Sequence, residues 1–355
     1  MVIARKELLK RTAYSALFAL AVGGGSRTAH AVPSVAITPS PDVYAELTAN
    51  PGLAASVPIY NQPQTSGQYS SLTVIGDSWA DWGNALQYNP VSSQVGADGR
   101  YGNALNIIDA LQYHYALPDS SVVNYAFGGA TTGSVNNNPP ALQLPGMAQQ
   151  VQAVVNSGQT FGPKDLITFT TAGVGGGNDT PLGISIAQGT ANIVSYVQTL
   201  VGLGGSNFLL NTPTPAATAS LQTALAPFAS EGVNIYLFDF GALVSDIVAD
   251  PTAYGFPAGT TTLDYCAQYG GAHVCNGGGA NKLSLQSTAQ ILAEDQYLFF
   301  YNHPTTALAG LIAQEDATIL AGPALTVPEP SSLAMLGFGV MTAIALTARK
   351  RRLSD

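Results

Sequence analysis

A chain of 355 residues, 46% hydrophobic and 9% charged, has ample material for a core, and one large domain with tails is the expected organisation. Its formal charge is −9, and most of its Lys and Arg lie at the ends: Arg5, Lys6, Lys10, Arg11 and Arg27 in front, Arg349, Lys350, Arg351 and Arg352 behind. Only Arg100, Lys164 and Lys282 remain between, too few to neutralise a phosphate backbone, so nucleic acid is not an expected partner.

In chain order, residues 1–31 combine the basic start with an apolar run from Ala13 to Val22 and Ala29-His30-Ala31, the A-x-A pattern of an export signal cleaved after Ala31. The alternative is an N-terminal anchor, but the run is well short of the roughly 20 residues a span needs. Residues 32–69 are rich in Pro, Ser, Thr and Gln without sustained periodicity, and read as a linker or an arm packed on the domain.

From 70 to 322 the pattern becomes strand, helix, strand. SLTVIG at 71–76 is a strand, followed by a helix around 103–115, a strand SVVNYAF at 121–127 and a helix around 145–156. DLITFTTA at 165–172 is a third strand; helices follow at about 184–203 and 216–230, then VNIYLFDF at 233–240 as a fourth strand, and a last helix after His303. The alternation predicts an α/β domain, a parallel sheet covered on both sides.

Three strands end in chemically capable loops, which one parallel sheet brings to one edge. The first stops at Gly76-Asp77-Ser78, where the serine is either a nucleophile or the N-cap of a following helix. The second runs into Phe127-Gly128-Gly129-Ala130, and the third into Gly175-Gly176-Gly177-Asn178-Asp179, a tight turn or a functional loop. Far downstream, Asn302-His303-Pro304-Thr305 offers a base, or a histidine in a surface loop. Together they supply what acyl transfer needs: a nucleophile, a base and preorganised donors for an oxyanion.

Taken in order, these blocks resemble the GDSL, or SGNH, family of serine esterases and lipases. GDSWADWGN at 76–84 is similar to the first block, NYAFGGATT at 124–132 to the second, GGND at 176–179 to the third and HPT at 303–305 to the last. The resemblance implies a three-layer α/β/α sandwich with a flavodoxin-like sheet. It further implies Ser78 as nucleophile, the Ser78 and Gly129 amides and the Asn178 side chain as oxyanion donors, and His303 as general base; no cofactor is expected, and no His, Cys or carboxylate cluster has metal-ligand spacing. One departure stands out: the family usually has Asp three residues before the histidine, where this chain has Phe300. The imidazole is then held by the Asn302 side chain, a backbone carbonyl or a water, and Asp295 does not transfer by motif.

Cys266 and Cys275 flank a Gly-rich loop ahead of His303, and in an exported chain they are expected to form a disulfide, a nucleophilic cysteine being the alternative. His30 belongs to the signal, and His114 lies on a helix rich in Tyr and Leu. Trp79, Trp82, Tyr88 and Phe127 either line an acyl site or pack the core. At 323–355, Pro328-Glu329-Pro330, the apolar run 333–348 and the basic cluster 349–352 resemble the PEP-CTERM sorting tail of Gram-negative, exopolysaccharide-producing bacteria. This implies a short, transient membrane span, a processing protease as partner and delivery to the cell surface or outside. A permanent anchor is the alternative. The expected function is ester hydrolysis on a lipid, a small acyl ester or an acetylated glycan. The alternatives are O-deacetylation of polysaccharide by the same mechanism, or a surface binding protein that has lost turnover.

Overall fold

Strand β1 (Ser71–Ile75) is followed by a glycine and lies between two parallel neighbours, β2 (Val122–Asn124) and β3 (Asp165–Thr170). The computed structural model describes residue 37 and residues 42–88, 99–170, 174–261, 264–269 and 287–325, all within the compact unit spanning 35–355. The signal, residues 326–355 of the tail with their apolar run 333–348, and Cys275 lie outside the described residues. Among the described residues no helix is long and apolar enough to cross a membrane.

Ahead of β1 come α1 (Val43–Ala49), capped by the Asp42 carboxylate, and α2 (Pro51–Ser56). The segment read as linker or packed arm is built into the core: Val43, Leu53, Val57 and Ile59 are fully buried. Arg100, 1% exposed, pairs at 3.0 Å with Glu46 of α1 and at 2.8 Å with Asp109 of α3 (Ile107–His114), which ties the segment to the domain. Charges so far out of water persist only when paired.

The expected alternation then holds, with α4 (Met147–Asn156) before β3 and α5 (Ile186–Gly202) after it. Next comes a strand that the sequence reading omits, β4 (Asn207–Thr212), buried at every residue, so that the expected fourth strand is the fifth. Its two asparagines break the apolar pattern; Asn207 Nδ2 donates to Pro163 O and Asp165 O, and Asn211 Nδ2 to Asp316. Helix α6 (Pro215–Ser230), β5 (Asn234–Asp239) and α7 (Phe240–Ala249) follow. The chain continues through α8 (Tyr265–Gln268), α9 (Thr288–Glu294) and a hairpin of β6 (Phe299–Phe300) and β7 (His303–Pro304), and ends in α10 (Thr306–Ala321).

The five-stranded sheet is parallel throughout, in the order β2-β1-β3-β4-β5. Alternate residues feed two cores. Leu72, Val74, Leu209 and Tyr236 pack with α3 and α10 residues such as Ile108 and Ile312, while Ile75, Phe169, Phe208 and Ile235 pack with Val151 of α4, Ile193 of α5 and Leu221 of α6. Each of these fully buried aliphatic side chains contributes roughly 1.5–3 kcal/mol. Helices therefore cover both faces. The order reverses at β1, which makes the crevice between the C-terminal ends of β1 and β3 the switch point where open α/β sheets bind ligands.

The interior also holds carboxyls whose burial pushes them above the usual 3.8: Asp316 to about 8, Asp77 to about 7, Asp81 and Asp295 to about 6. Between pH 8 and pH 4 the folded protein retains protons there that the unfolded chain has released, so stability rises as pH falls through this window. Buried His303, lowered to about 4, opposes the trend, because below 6.5 only the unfolded chain takes up its proton. Four carboxyls outweigh one imidazole, and thermal melts should show a midpoint several degrees higher near pH 5 than near pH 8. A midpoint lower near pH 5 than near pH 8 would mean that these carboxyls stay ionised in the fold.

Candidate active site

The end of β1 is braced before the chain turns. Gly76 N donates to Gln150 Oε1 and Gly76 O accepts from Gln150 Nε2, both at 2.8 Å, and Phe127 N donates to Gly76 O at 3.2 Å. A Cβ on Gly76 would lie 1.7 Å from Thr170 Oγ1, so the close approach of β1 to β3 admits only glycine here. Asp77 N donates to that same hydroxyl at 3.1 Å. Ser78 then stands at the switch point, 9% exposed. It is not an N-cap: residues 78–80 form a turn, and Trp79 N donates to Asp77 Oδ1.

His303 arrives from a two-residue hairpin. Phe300 pairs with His303, and the two intervening residues, Tyr301 and Asn302, have φ of 52° and 62°. Two successive positive φ values define the I′-type turn whose twist matches its strands. This geometry directs the imidazole to two partners. Nδ1 lies 2.7 Å from Tyr301 O and Nε2 lies 2.8 Å from Ser78 Oγ. A carbonyl can only accept, so Nδ1 carries the proton and the Nε2 lone pair receives the Ser78 hydroxyl. Burial pushes His303 down to about 4, against the opposing pull of the Tyr301 carbonyl and the Asp264 carboxylate. The ring is thus neutral at pH 7, the form a general base requires. It lies against Tyr101, centroids 4.9 Å apart.

Of the three holders expected for the imidazole, the backbone carbonyl is the one present. The Asn302 side chain is exposed, and its backbone N–H donates to Asp264 Oδ2. Asp295 is occupied elsewhere, accepting from Asn103 Nδ2 at 2.9 Å and from Ala307 N at 3.3 Å.

Gly129 sits on the neighbouring loop at φ 77°, where an added Cβ would also meet Asn138 Nδ2 at 2.3 Å. Among the described residues, neither the Gly129 nor the Ser78 amide donates to a protein acceptor. Asn178 Nδ2 donates to Ala130 O at 3.1 Å and lies 3.5 Å from Asp77 Oδ2. The Asn178 side chain therefore spans from the residue after Gly129 to the residue before Ser78, and its second contact is too long to hold it firmly.

The sequence reading missed the groups that lock these loops together. Fully buried Asp81 accepts from Gly83 N (2.7 Å), Asn84 N (2.6 Å), Ala85 N (3.2 Å) and Gly128 N (2.7 Å). Asp179 accepts from Thr132 N and Thr132 Oγ1 at 2.8 and 2.7 Å. Tyr101 packs so closely on Gly128 that a Cβ there would lie 2.0 Å from its hydroxyl. Each is an ordinary residue in sequence, and only its partners across the fold reveal the role.

The aromatic residues near the motifs divide. Trp82 and Phe127 are buried in the core, Tyr88 packs on Phe127 at 5.8 Å, and half-buried Trp79 packs on Phe240 at 4.5 Å and Phe299 at 6.4 Å. Cys266 is buried beside Phe300. The bridge expected from it to Cys275 lies outside the described residues. Buried His114 packs edge-on against Tyr115, well away in sequence and partners from the Ser78 cluster. Among the described residues no group of three His, Cys, Asp or Glu is placed to hold a metal ion.

Residues 326–352 match the PEP-CTERM protein-sorting motif. The chain thus carries the C-terminal sorting tail of exported proteins of Gram-negative bacteria. No curated protein matches the chain.

Proposed function

We propose that the domain is a carboxylic-ester hydrolase of the GDSL/SGNH kind, acting through a Ser78 acyl-enzyme. The observation that carries this reading is the 2.8 Å contact between Ser78 Oγ and a neutral His303 Nε2 at the switch point of the sheet. As Ser78 Oγ bonds to the ester carbonyl carbon, its proton passes to Nε2 and the carbonyl electrons move onto oxygen. The Ser78 and Gly129 amides, together with Asn178, receive that oxyanion. Collapse expels the alcohol, which takes the proton back from His303. Water, deprotonated by the same nitrogen, then releases the acid and restores Ser78.

The sorting motif supports an exported enzyme that meets its substrate outside the cytoplasm, on a lipid, a small acyl ester or an acetylated glycan. The reading as a scaffold without turnover rested on the missing Asp before His303, and the Tyr301 carbonyl provides an acceptor for Nδ1 in its place.

Steady-state hydrolysis of p-nitrophenyl acetate tests the proposal. The protein should turn over, with kcat/KM level above about pH 6 and an acid limb near the His303 value of about 4. Absence of turnover on p-nitrophenyl esters and on acetylated polysaccharide between about pH 6 and pH 9 would favour the binding role instead.

A further inference from the structure

The hairpin that presents His303 uses one peptide on both sides. The carbonyl of the Tyr301–Asn302 peptide accepts from His303 Nδ1 at 2.7 Å, and the N–H of the same peptide donates to Asp264 Oδ2. Among the described residues no peptide bond is cis, so the two groups of this peptide point in opposite directions, and the carboxylate and the imidazole bracket one planar amide. We propose that Asp264 is the carboxylate of this site, acting on His303 through the Tyr301–Asn302 peptide rather than by direct contact. The inference rests on the hydrolase reading of the Ser78–His303 pair. It makes Asp264 a positioning residue.

The physical basis is polarisation along a hydrogen-bonded chain. Negative charge at the N–H end of an amide shifts electron density onto its carbonyl oxygen, and bonds linked in this way strengthen one another. Tyr301 O thereby becomes a better acceptor for Nδ1–H and a better partner for the imidazolium that forms when Ser78 gives up its proton. A directly bonded aspartate does the same work in a triad. Here the carboxylate is one peptide further away.

Asp264 is held for this task from several sides. Its Oδ1 accepts from Cys266 N at 2.7 Å and Ala267 N at 3.3 Å, the capping contacts of α8. Its backbone forms a parallel bridge to Phe299 on β6. Capping needs only one of the two oxygens. The other reaches the turn that carries His303. The groups facing the imidazole are the Ser78 hydroxyl, the Tyr101 ring, the Tyr301 carbonyl and, through the peptide, Asp264, the one carboxylate among them that favours its protonated form.

Asp264→Asn keeps an oxygen for the cap and removes the charge. It should lower kcat on p-nitrophenyl acetate roughly tenfold with KM unchanged. The His303 titration, followed by NMR of ring-labelled histidine, should move to lower pH. Asp264→Ser, a cap without charge, should match it, and Asp264→Glu should recover part of the loss and of the shift. Asp250→Asn, at an exposed cap on residues 251–254, should change neither. An active wild-type protein whose kcat and His303 titration are both untouched by Asp264→Asn overturns the proposal. If the wild-type protein does not hydrolyse esters, the hydrolase reading fails by itself. The histidine titration, which needs no turnover, still decides the link, and an unmoved His303 in Asp264→Asn sinks it.

Discussion

Ser78→Ala should lower kcat for ester hydrolysis by roughly 10,000-fold or more, because no other group at the site can form the acyl-enzyme. His303→Ala should come close, since the Ser78 hydroxyl would lose the acceptor 2.8 Å away. Combining the two should cost little beyond either alone, as each disables one proton-transfer unit. Ser78→Ala removes only a hydroxyl whose hydrogen bond is to His303, so its melting midpoint should stay near that of the wild-type protein. Burst kinetics with p-nitrophenyl acetate and covalent capture by a fluorophosphonate report the same chemistry: label should appear on the wild-type protein and be absent from Ser78→Ala. Losses that multiply in the double variant would show that the two residues act independently, and the proposed proton transfer would be wrong.

Asp81→Ala should produce the largest loss of stability among the residues of the site. The carboxylate is fully buried and gathers the N–H groups of Gly83, Asn84, Ala85 and Gly128, all of which lose this acceptor when it goes. At about 1 kcal/mol for each hydrogen bond lost, the cost is about 4 kcal/mol, a fall in melting midpoint of roughly 10 °C for a domain of this size. Activity should fall too, with kcat more affected than KM. The bond to Gly128 N fixes the loop that offers the Gly129 amide, whose contribution is needed when charge develops. Asp81→Asn keeps the volume but replaces one accepting oxygen by an NH2 group, and should fall between the two. An Asp81→Ala protein that melts within about 2 °C of the wild-type would show that water replaces the carboxylate at little cost.

The strands that were legible in sequence, β1, β2, β3 and β5, are short runs of apolar and β-branched residues, and the buried polar residues inside β1 and β3, Thr73, Thr168 and Thr170, are strand formers themselves and leave the pattern readable. Strand β4 escaped because Asn207 and Asn211 interrupt its apolar run. Both are buried, and both become tolerable only through Pro163, Asp165 and Asp316, residues 42 to 105 positions away in the chain. The helices at 43–56 escaped for a related reason. Their Pro- and Ser-rich setting hides Val43, Leu47 and Leu53, which count as core only once α3 and α9 lie against them.

The chain's own order of residues determined that strands and helices alternate, that Ser78, Gly129 and Asn178 follow parallel strands, and that the C-terminus carries a sorting tail, because each of these depends on local pattern. It also determined that no Asp stands three residues before His303. What takes its place was decided by tertiary structure: two residues at positive φ fold the Tyr301 carbonyl onto Nδ1 and turn the adjoining N–H toward Asp264, 38 residues back. The Ser78 to His303 contact spans 225 residues and exists only because β1 and the hairpin before α10 end at the same edge. A hydrogen bond depends on distance and direction, and these are set by the packing of the sheet and its helices.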